Sequence, residues 1–397
     1  MHSLMSRGIR VMATALLAFA AAAVLAQASE AATAKAGSVR FVQKASNSEF
    51  DKFTKSPSAG LRATMRQRYT GMIVSSPYFD SRLRWFPKAW AYRGLYTAFP
   101  GAAIVRQHRS WFLRIGRRGP LAHVPFDCEG GSCPQLAADI SNPAFRRHWI
   151  RDAKKLVRRG YKTIYIDDVN MIRRVSDGSG KELTPYSPFK RRNVSRRAWR
   201  VYIARFTRQI RRALPRTKLV HNVIWFSPGS RDRLTRIQMR SANIIALERG
   251  INDPGLTGGR GPFSLRNYFN YASFIHRLKR PVLYDESAPS DAERDYGLAG
   301  YFLINNGRDL FGSSPSGNPD EFWPGYLVKL GKPLTGRYRS GGLIRRRFQN
   351  GIVLLNEPGA RTRTANLKGN YRTAGGAAVG SSVTLAASRG AVLVKTR

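Results

Sequence analysis

Asp139-Ile-Ser-Asn-Pro-Ala-Phe-Arg146 and, thirteen residues later, Arg159-Gly-Tyr-Lys-Thr-Ile-Tyr-Ile-Asp-Asp-Val-Asn170 decide how this chain is read. In the first stretch Ser141-Asn142 supplies a capping side chain and Pro143 stands at a first helical position. The helix so opened closes before Gly160. Its apolar residues Phe145, Trp149, Ile150, Ala153, Leu156 and Val157 share one face, and the arginines and lysines take the other. The second stretch then runs into Lys162–Asn170, rich in β-branched and aromatic residues, so a helix feeds a strand.

The same unit recurs. A helix from Ser195 to before Pro215, with Trp199, Tyr202, Ile203, Phe206, Ile210 and Leu214 inward, leads into a strand at Lys218–Phe226. Further strands are expected at Gly71–Asp80, Ala89–Ala98, Ile244–Ile251 and Pro281–Glu286, with helices near 232–241, 264–279 and 291–304. A weak segment at Leu121–Phe126 and a last one at Arg308–Gly312 bring the count to seven or eight βα units. A closed (β/α)8 barrel explains that count best. A doubly wound open sheet is the alternative, but no Gly-x-Gly-x-x-Gly follows any strand.

After about Gly336 the helical texture ends. Leu343–Phe348 and Ile352–Leu355 flank Asn350-Gly351, and Ser382–Ala387 and Ala391–Lys395 flank Arg389-Gly390, which predicts two hairpins in a small all-β domain over 336–397. The barrel is assigned to 61–335, and 29–60, rich in Ala, Ser and Lys, to a leader or linker. Residues 1–28 read as a signal peptide: Arg7 and Arg10, an apolar run from Val11 to Leu25, then Ala26-Gln27-Ala28 before the cut, with Ser29-Glu30-Ala31 as a second cleavage point. That run is too short to span a bilayer. The expected product is an exported monomer in the cell envelope or outside it, with no transmembrane segment.

The chain of 397 residues carries 68 Lys and Arg against 24 Asp and Glu, a formal charge of +44, yet 42% of it is hydrophobic. Enough apolar material for a large core excludes a disordered basic tail. The excess is dispersed arginine, consistent either with attraction to a polyanion, such as an anionic cell-envelope polymer, or with compositional bias on helix surfaces. Cys128 and Cys133, six positions of one glycine-containing loop, are expected to close a local disulfide, the alternative being two free thiols; a zinc site would need more ligands than this neighbourhood holds.

In barrels of this type the reactive residues sit at the carboxyl ends of strands. With so few acids, those found there are informative: Asp80, Asp167, Asp168, Glu248, Asp285 and Glu286. Two carboxylates across a barrel mouth suffice to cleave a glycosidic bond. No His-x-x-x-His, Gly-x-Ser-x-Gly or Walker loop supports other chemistry, and neither metal nor cofactor is required.

With Trp90-Ala-Tyr-Arg-Gly-Leu-Tyr96 and the terminal β region, the two opening segments resemble the glycoside-hydrolase-like TIM-barrel families, among them the hypothetical glycosyl hydrolase family designated 15. The resemblance covers most of 70–395. It implies that the Asp closing the fourth strand is a nucleophile and an acid on the sixth its proton donor. Asp167 matches the first position, with Asp168 as its substitute or as a hydroxyl-binding residue, and Glu248 matches the second. Capping of the loop by the Asp pair, and a salt bridge of Glu248 to Arg249, are the structural alternatives. Around these, Asp80 is expected to orient substrate, Tyr96 and Trp225 to stack on sugar rings or else to be core or lid, and Arg93 to pair with one of the carboxylates. Asp285 and Glu286 compete for the acid role, and Asn170 and Asn222 are hydrogen-bonding candidates. The function expected is hydrolysis of a polysaccharide or envelope glycan; the alternative is a non-catalytic glycan- or polyanion-binding protein on the same barrel. Specific nucleic-acid binding has only the charge in its favour.

Overall fold

A computed structural model describes residues 35–45, 50–225 and 232–396. The signal-peptide segment 1–28 and the end of the expected strand at Phe226 lie outside these residues. Eight parallel strands close into a barrel: β1 (Phe41–Lys44), β2 (Tyr69–Val74), β3 (Ala89–Gly94), β4 (Thr163–Asp167), β5 (Lys218–Val223), β6 (Ile244–Arg249), β7 (Val282–Ser287) and β8 (Leu310–Ser314). Each pairs with its neighbour in sequence, and Phe41 of β1 pairs with Phe311 of β8 to complete the circle. The helices α1 (Ala59–Arg68), α2 (Pro143–Arg158), α3 (Arg196–Ala213), α4 (Arg233–Ser241), α5 (Leu265–Arg277) and α6 (Asp291–Ile304) connect the strands.

Five of these helices begin at a serine or asparagine cap whose oxygen accepts a backbone N–H of the first turn, and α4 uses Asp232 in the same way. At α6, Ser290 and Glu293 form a reciprocal capping box. Alternation along the strands sends Val42, Ile73, Trp90, Tyr165, Val220, Ala246, Leu283 and Leu310 into one buried cluster that fills the barrel interior. Gly71 leaves room for the Trp90 indole, because a Cβ there would lie 2.5 Å from a ring carbon.

Two expectations change here. The first barrel strand lies within 29–60, the segment read as a leader or linker: Phe41–Lys44 is only four residues long and, buried at its first three positions, lacks the alternation that marks a half-exposed strand. Leu121–Phe126 is no barrel strand. Its His123, in the long excursion between β3 and α2, makes isolated bridges to Leu136 in the same excursion and to Ser176 in the one after β4.

Beyond β8 the chain is antiparallel: β9 (Tyr338–Ser340), β10 (Leu343–Phe348), β11 (Gly351–Leu355), β12 (Arg363–Asn366), β13 (Tyr371–Thr373), β14 (Ala378–Val379), β15 (Ser382–Leu385) and β16 (Gly390–Lys395). Six of them form a sheet in the order β9-β10-β11-β16-β13-β14, and β12 pairs with β15. The Asn350-Gly351 hairpin joins β10 to β11. No hairpin forms about Arg389-Gly390: β16 pairs with β11 and β13, because its buried Ala391, Val392 and Leu393 belong in the middle of the larger sheet. This region packs on α6, where Phe348 meets Phe302 at 6.0 Å and the Arg346 guanidinium donates to the carbonyls of Phe302 and Asn305 at 2.8 and 2.9 Å.

Candidate active site

One rung above the apolar layer, the inward positions turn polar. Lys44 stands two residues beyond Val42, Tyr92 beyond Trp90, Asp167 beyond Tyr165, Asn222 beyond Val220, Glu248 beyond Ala246 and Asp285 beyond Leu283. The two-residue repeat of parallel strands thus delivers six polar side chains to the carboxyl end of the barrel.

Asp167 is the most heavily bonded of them. Its Oδ2 accepts from the Tyr92 hydroxyl at 2.7 Å, and its Oδ1 accepts from Asn222 Nδ2 at 2.7 Å and from the Asp168 backbone N–H at 2.8 Å. Asn222 Nδ2 also donates to Glu248 Oε2 at 3.3 Å. One amide nitrogen therefore bridges the two carboxylates, whose bonded oxygens can lie no farther apart than 6.0 Å, the 2.7 Å and 3.3 Å bonds laid end to end. The other end of that amide, Asn222 Oδ1, is buried and has no hydrogen-bond partner among the described residues. Lys44 Nζ meets Asp285 Oδ2 at 2.6 Å; the lysine side chain is half-exposed and the aspartate buried.

Burial, Asp167 and Asp285 raise the pKa of Glu248 above the ordinary value, against the opposing pull of Lys44 and Arg174. Asp168 is pushed up to about 8, by burial first and then by the charge of Asp167. It sits in the left-handed region at φ 59°. The Tyr92 hydroxyl is raised as well, by burial and by its bond to Asp167, so it stays a donor. Burial opposes the charge of Lys44, but Asp285, with Glu248 and Asp167 behind it, holds its pKa above the ordinary value.

A cavity of about 280 Å³ opens over Glu248, lined also by Ile172, Arg174, Glu182, Ile224, Arg249 and Asp253. Its lining comes from the excursion after β4 and from the ends of β5 and β6. The excursions after β3 and β4 bridge each other at His123 and Ser176 and at Arg114 and Tyr186. Cys128 and Cys133 are joined in a disulfide in the first excursion, and Cys133 Sγ lies 3.6 Å from Ser176 Oγ in the second. Arg174 Nη2 donates to the Pro125 carbonyl at 2.7 Å, which ties this lining residue to the first excursion.

Other residues singled out in the sequence lie elsewhere. Arg93 points outward, to Asp152 on α2 at 3.1 Å and over the Trp149 ring, because it falls on the odd side of the β3 alternation. Its charge is paired, but by the helix layer and not by the mouth carboxylates. Asp80 accepts from Ser76 and Tyr161 and pairs with Arg159 at 3.3 Å, in the crossover from β2 to β3. Tyr96 is fully buried against Trp199 at 4.9 Å, which makes it core and not a stacking face. Trp225, 6% exposed, packs edge-on against Tyr268 and Phe263. Asn170 accepts from the Ile224 N–H at 2.7 Å and approaches Asp168 at 3.4 Å, so it shapes the loop beside the site. Glu286 also faces outward. Its carboxylate accepts the backbone N–H groups of Ile251 and Asn252, both at 3.1 Å, in the loop that follows Glu248.

Lys44, Tyr92, Arg174, Glu182 and Asp253 were not singled out from the sequence. Tyr92 had a usable signal, since it shares the inward parity of Trp90. Among the described residues no group of three His, Cys, Asp or Glu side chains is arranged to hold a metal ion, and no helix is long and apolar enough to cross a membrane.

No family model matches the chain, and no curated protein matches it in sequence. Among solved structures, the glycoside hydrolase domain of PelA from Pseudomonas aeruginosa aligns with 70% of this chain and 95% of its own, at 15% identity and a TM-score of 0.44. The GH36 α-galactosidase AgaA from Geobacillus stearothermophilus aligns with 90% of this chain at 12% identity and a TM-score of 0.44; this chain covers 56% of that enzyme. The α-galactosidase TtGalA from Thermus thermophilus aligns with 78% of this chain and 65% of its own, at 12% identity and a TM-score of 0.44. Similarity of this order assigns neither a family nor a substrate.

Proposed function

We propose that the protein is a glycoside hydrolase of a polysaccharide or cell-envelope glycan, with Asp167 as nucleophile and Glu248 as acid and base. The observation that carries this reading is the Asn222 amide shared by the two carboxylates at 2.7 and 3.3 Å. The upper limit of 6.0 Å between the bonded oxygens admits the ~5–5.5 Å of retaining pairs and falls short of the ~6.5–9.5 Å that accommodates a water in inverting ones. In the first step an Asp167 oxygen attacks the anomeric carbon while Glu248 gives its proton to the departing glycosidic oxygen. In the second, Glu248 takes a proton from water, the water oxygen bonds to the anomeric carbon, and the ester to Asp167 breaks. A raised pKa keeps Glu248 protonated for the first step. Asp168, raised in the same way, donates to a sugar hydroxyl, and the Lys44–Asp285 pair holds another.

The basic exterior and the segment 1–28 support export toward an anionic envelope as part of the same proposal. The test measures reducing-end release from acidic and amino-sugar polysaccharides by the protein and by folded Asp167→Asn and Glu248→Gln variants. Turnover is expected to vanish in the first. In the second it falls by roughly 10²–10⁴, and falls least on substrates whose leaving group needs no proton. Saturable binding without released sugar, unchanged in both variants, overturns the proposal.

A further inference from the structure

The antiparallel region holds a cavity of about 580 Å³, remote from the polar layer of the barrel. It opens at the end of the larger sheet, where Arg347 on β10 pairs with Ile352 on β11, and Lys395 on β16 pairs with Tyr371 on β13. Ile352 also pairs with Leu393, two residues before Lys395 on β16, so Arg347, Ile352, Lys395 and Tyr371 share one face of the sheet. Leu367 and Lys368, from the segment after β12, close the cavity from the other side. The Tyr371 hydroxyl donates to the Lys368 carbonyl at 3.3 Å, which fixes its ring against the opening.

Charge sets this cavity apart. Residues 336–397 contain 12 Lys and Arg and a single acid, Glu357. Glu357 is taken by Arg339. Arg346 is held by carbonyls of α6 and its C-terminal end, and Arg337 lies over the Phe269 ring. Arg347, Lys368 and Lys395 make no ion pair among the described residues, and no carboxylate lines the cavity that they share. Between those cations lie apolar surface, from Ile352, Leu367 and the Tyr371 ring, and two side-chain amides, Gln349 and Asn366.

We propose that this cavity is a second glycan site, separate from the barrel mouth, that binds a carboxylated polysaccharide chain. The three cations match carboxylates spaced along such a chain. The tyrosine ring and the aliphatic side chains match the apolar faces of sugar rings, and the amides match hydroxyls. A neutral glycan would leave three cations without partners, whereas a nucleic-acid strand would find one half-buried ring, Tyr371, where such strands stack successive bases on several. The site goes beyond the hydrolase reading and does not depend on it.

Binding of hexagalacturonate, of maltohexaose and of a single-stranded DNA of equal charge to intact Asp167→Asn protein, measured by calorimetry at two salt concentrations, tests this site without turnover. Hexagalacturonate is expected to bind at least tenfold tighter than maltohexaose. Arg347→Gln, Lys368→Gln and Lys395→Gln are each expected to weaken it about tenfold, the worth of one charged hydrogen bond, with unchanged circular dichroism. A control with Arg147, Arg151 and Lys154 on the exposed face of α2 all changed to Gln is expected to alter affinity less than twofold. Equal binding of maltohexaose, displacement of the uronate by DNA at equal concentration, or an equal loss in the α2 control overturns the proposal.

Discussion

Tyr92 and Asn222 hold opposite oxygens of Asp167, so the direction in which that carboxylate faces is set by two side chains from the neighbouring strands β3 and β5. Tyr92→Phe removes one donor and little volume. It is expected to lower kcat by roughly 10–100-fold, the range of a hydrogen bond to a charged group, with KM nearly unchanged; steady-state kinetics read the split. Asp168 makes a separate prediction. Its pKa of about 8 in the folded protein exceeds the ordinary 3.8, so the native state binds its proton across that interval while the unfolded chain has lost it. The stabilisation is complete below the unfolded value and is lost as pH rises toward about 8. Thermal unfolding should therefore show wild type losing stability relative to Asp168→Asn between about pH 4 and pH 8. Asp167, Asp168 and Glu248 were legible in the sequence because scarce acids at strand ends stand out. Their supports were not. Tyr92 looks like any aromatic of a buried strand until its hydroxyl is seen to meet Asp167, and Lys44 lay in a segment whose composition reads as a linker.

Among the elements, five of the six barrel helices were read to within a residue or two, since caps such as Asn142-Pro143 and Ser290 with Glu293 are local and leave a mark in the sequence, whereas α1, which starts inside the segment read as a linker, was not. Strands whose partners are remote left none. Phe41–Lys44 becomes a strand only because β2 and β8 flank it, and β16 takes β11 and β13 as partners in preference to a neighbour across Arg389-Gly390. The turn after β6 shows the same dependence. Gly250 has φ 55°, and a Cβ there would lie 2.0 Å from the Glu286 oxygen that accepts the Ile251 N–H. Gly259 also has positive φ, at 73°, but has open space around it. Gly250→Ala is expected to cost at least about 2 kcal/mol, and Gly259→Ala only the ~1 kcal/mol of backbone strain. Urea unfolding measures both. A Gly250→Ala loss no greater than that of Gly259→Ala would separate Glu286 from the loop it is argued to hold.

For the whole molecule, the charge excess of +44 has an energetic consequence that its folded arrangement makes definite. The acids that hold cations are few: Asp152 alone contacts Arg93, His148 and Lys155, and Asp51, Asp80, Asp232, Asp285 and Glu357 are among the others. Most of the arginines among the described residues thus face water, with several side by side on α2 and α3, and repel one another across distances comparable to the ~10 Å Debye length at 0.1 M salt. Burial is little affected by simple salt at this concentration, and close ion pairs are screened less than distant repulsions. Adding NaCl from about 10 to 200 mM should therefore raise the unfolding temperature by a few degrees. The same salt should weaken attachment to any acidic polymer, because there the screened interaction is attractive. Differential scanning fluorimetry and a cosedimentation assay on one salt series read both slopes. Opposite signs are the expected result. An unfolding temperature that falls with salt would mean that local ion pairs, and not dispersed repulsion, dominate the electrostatics of this fold.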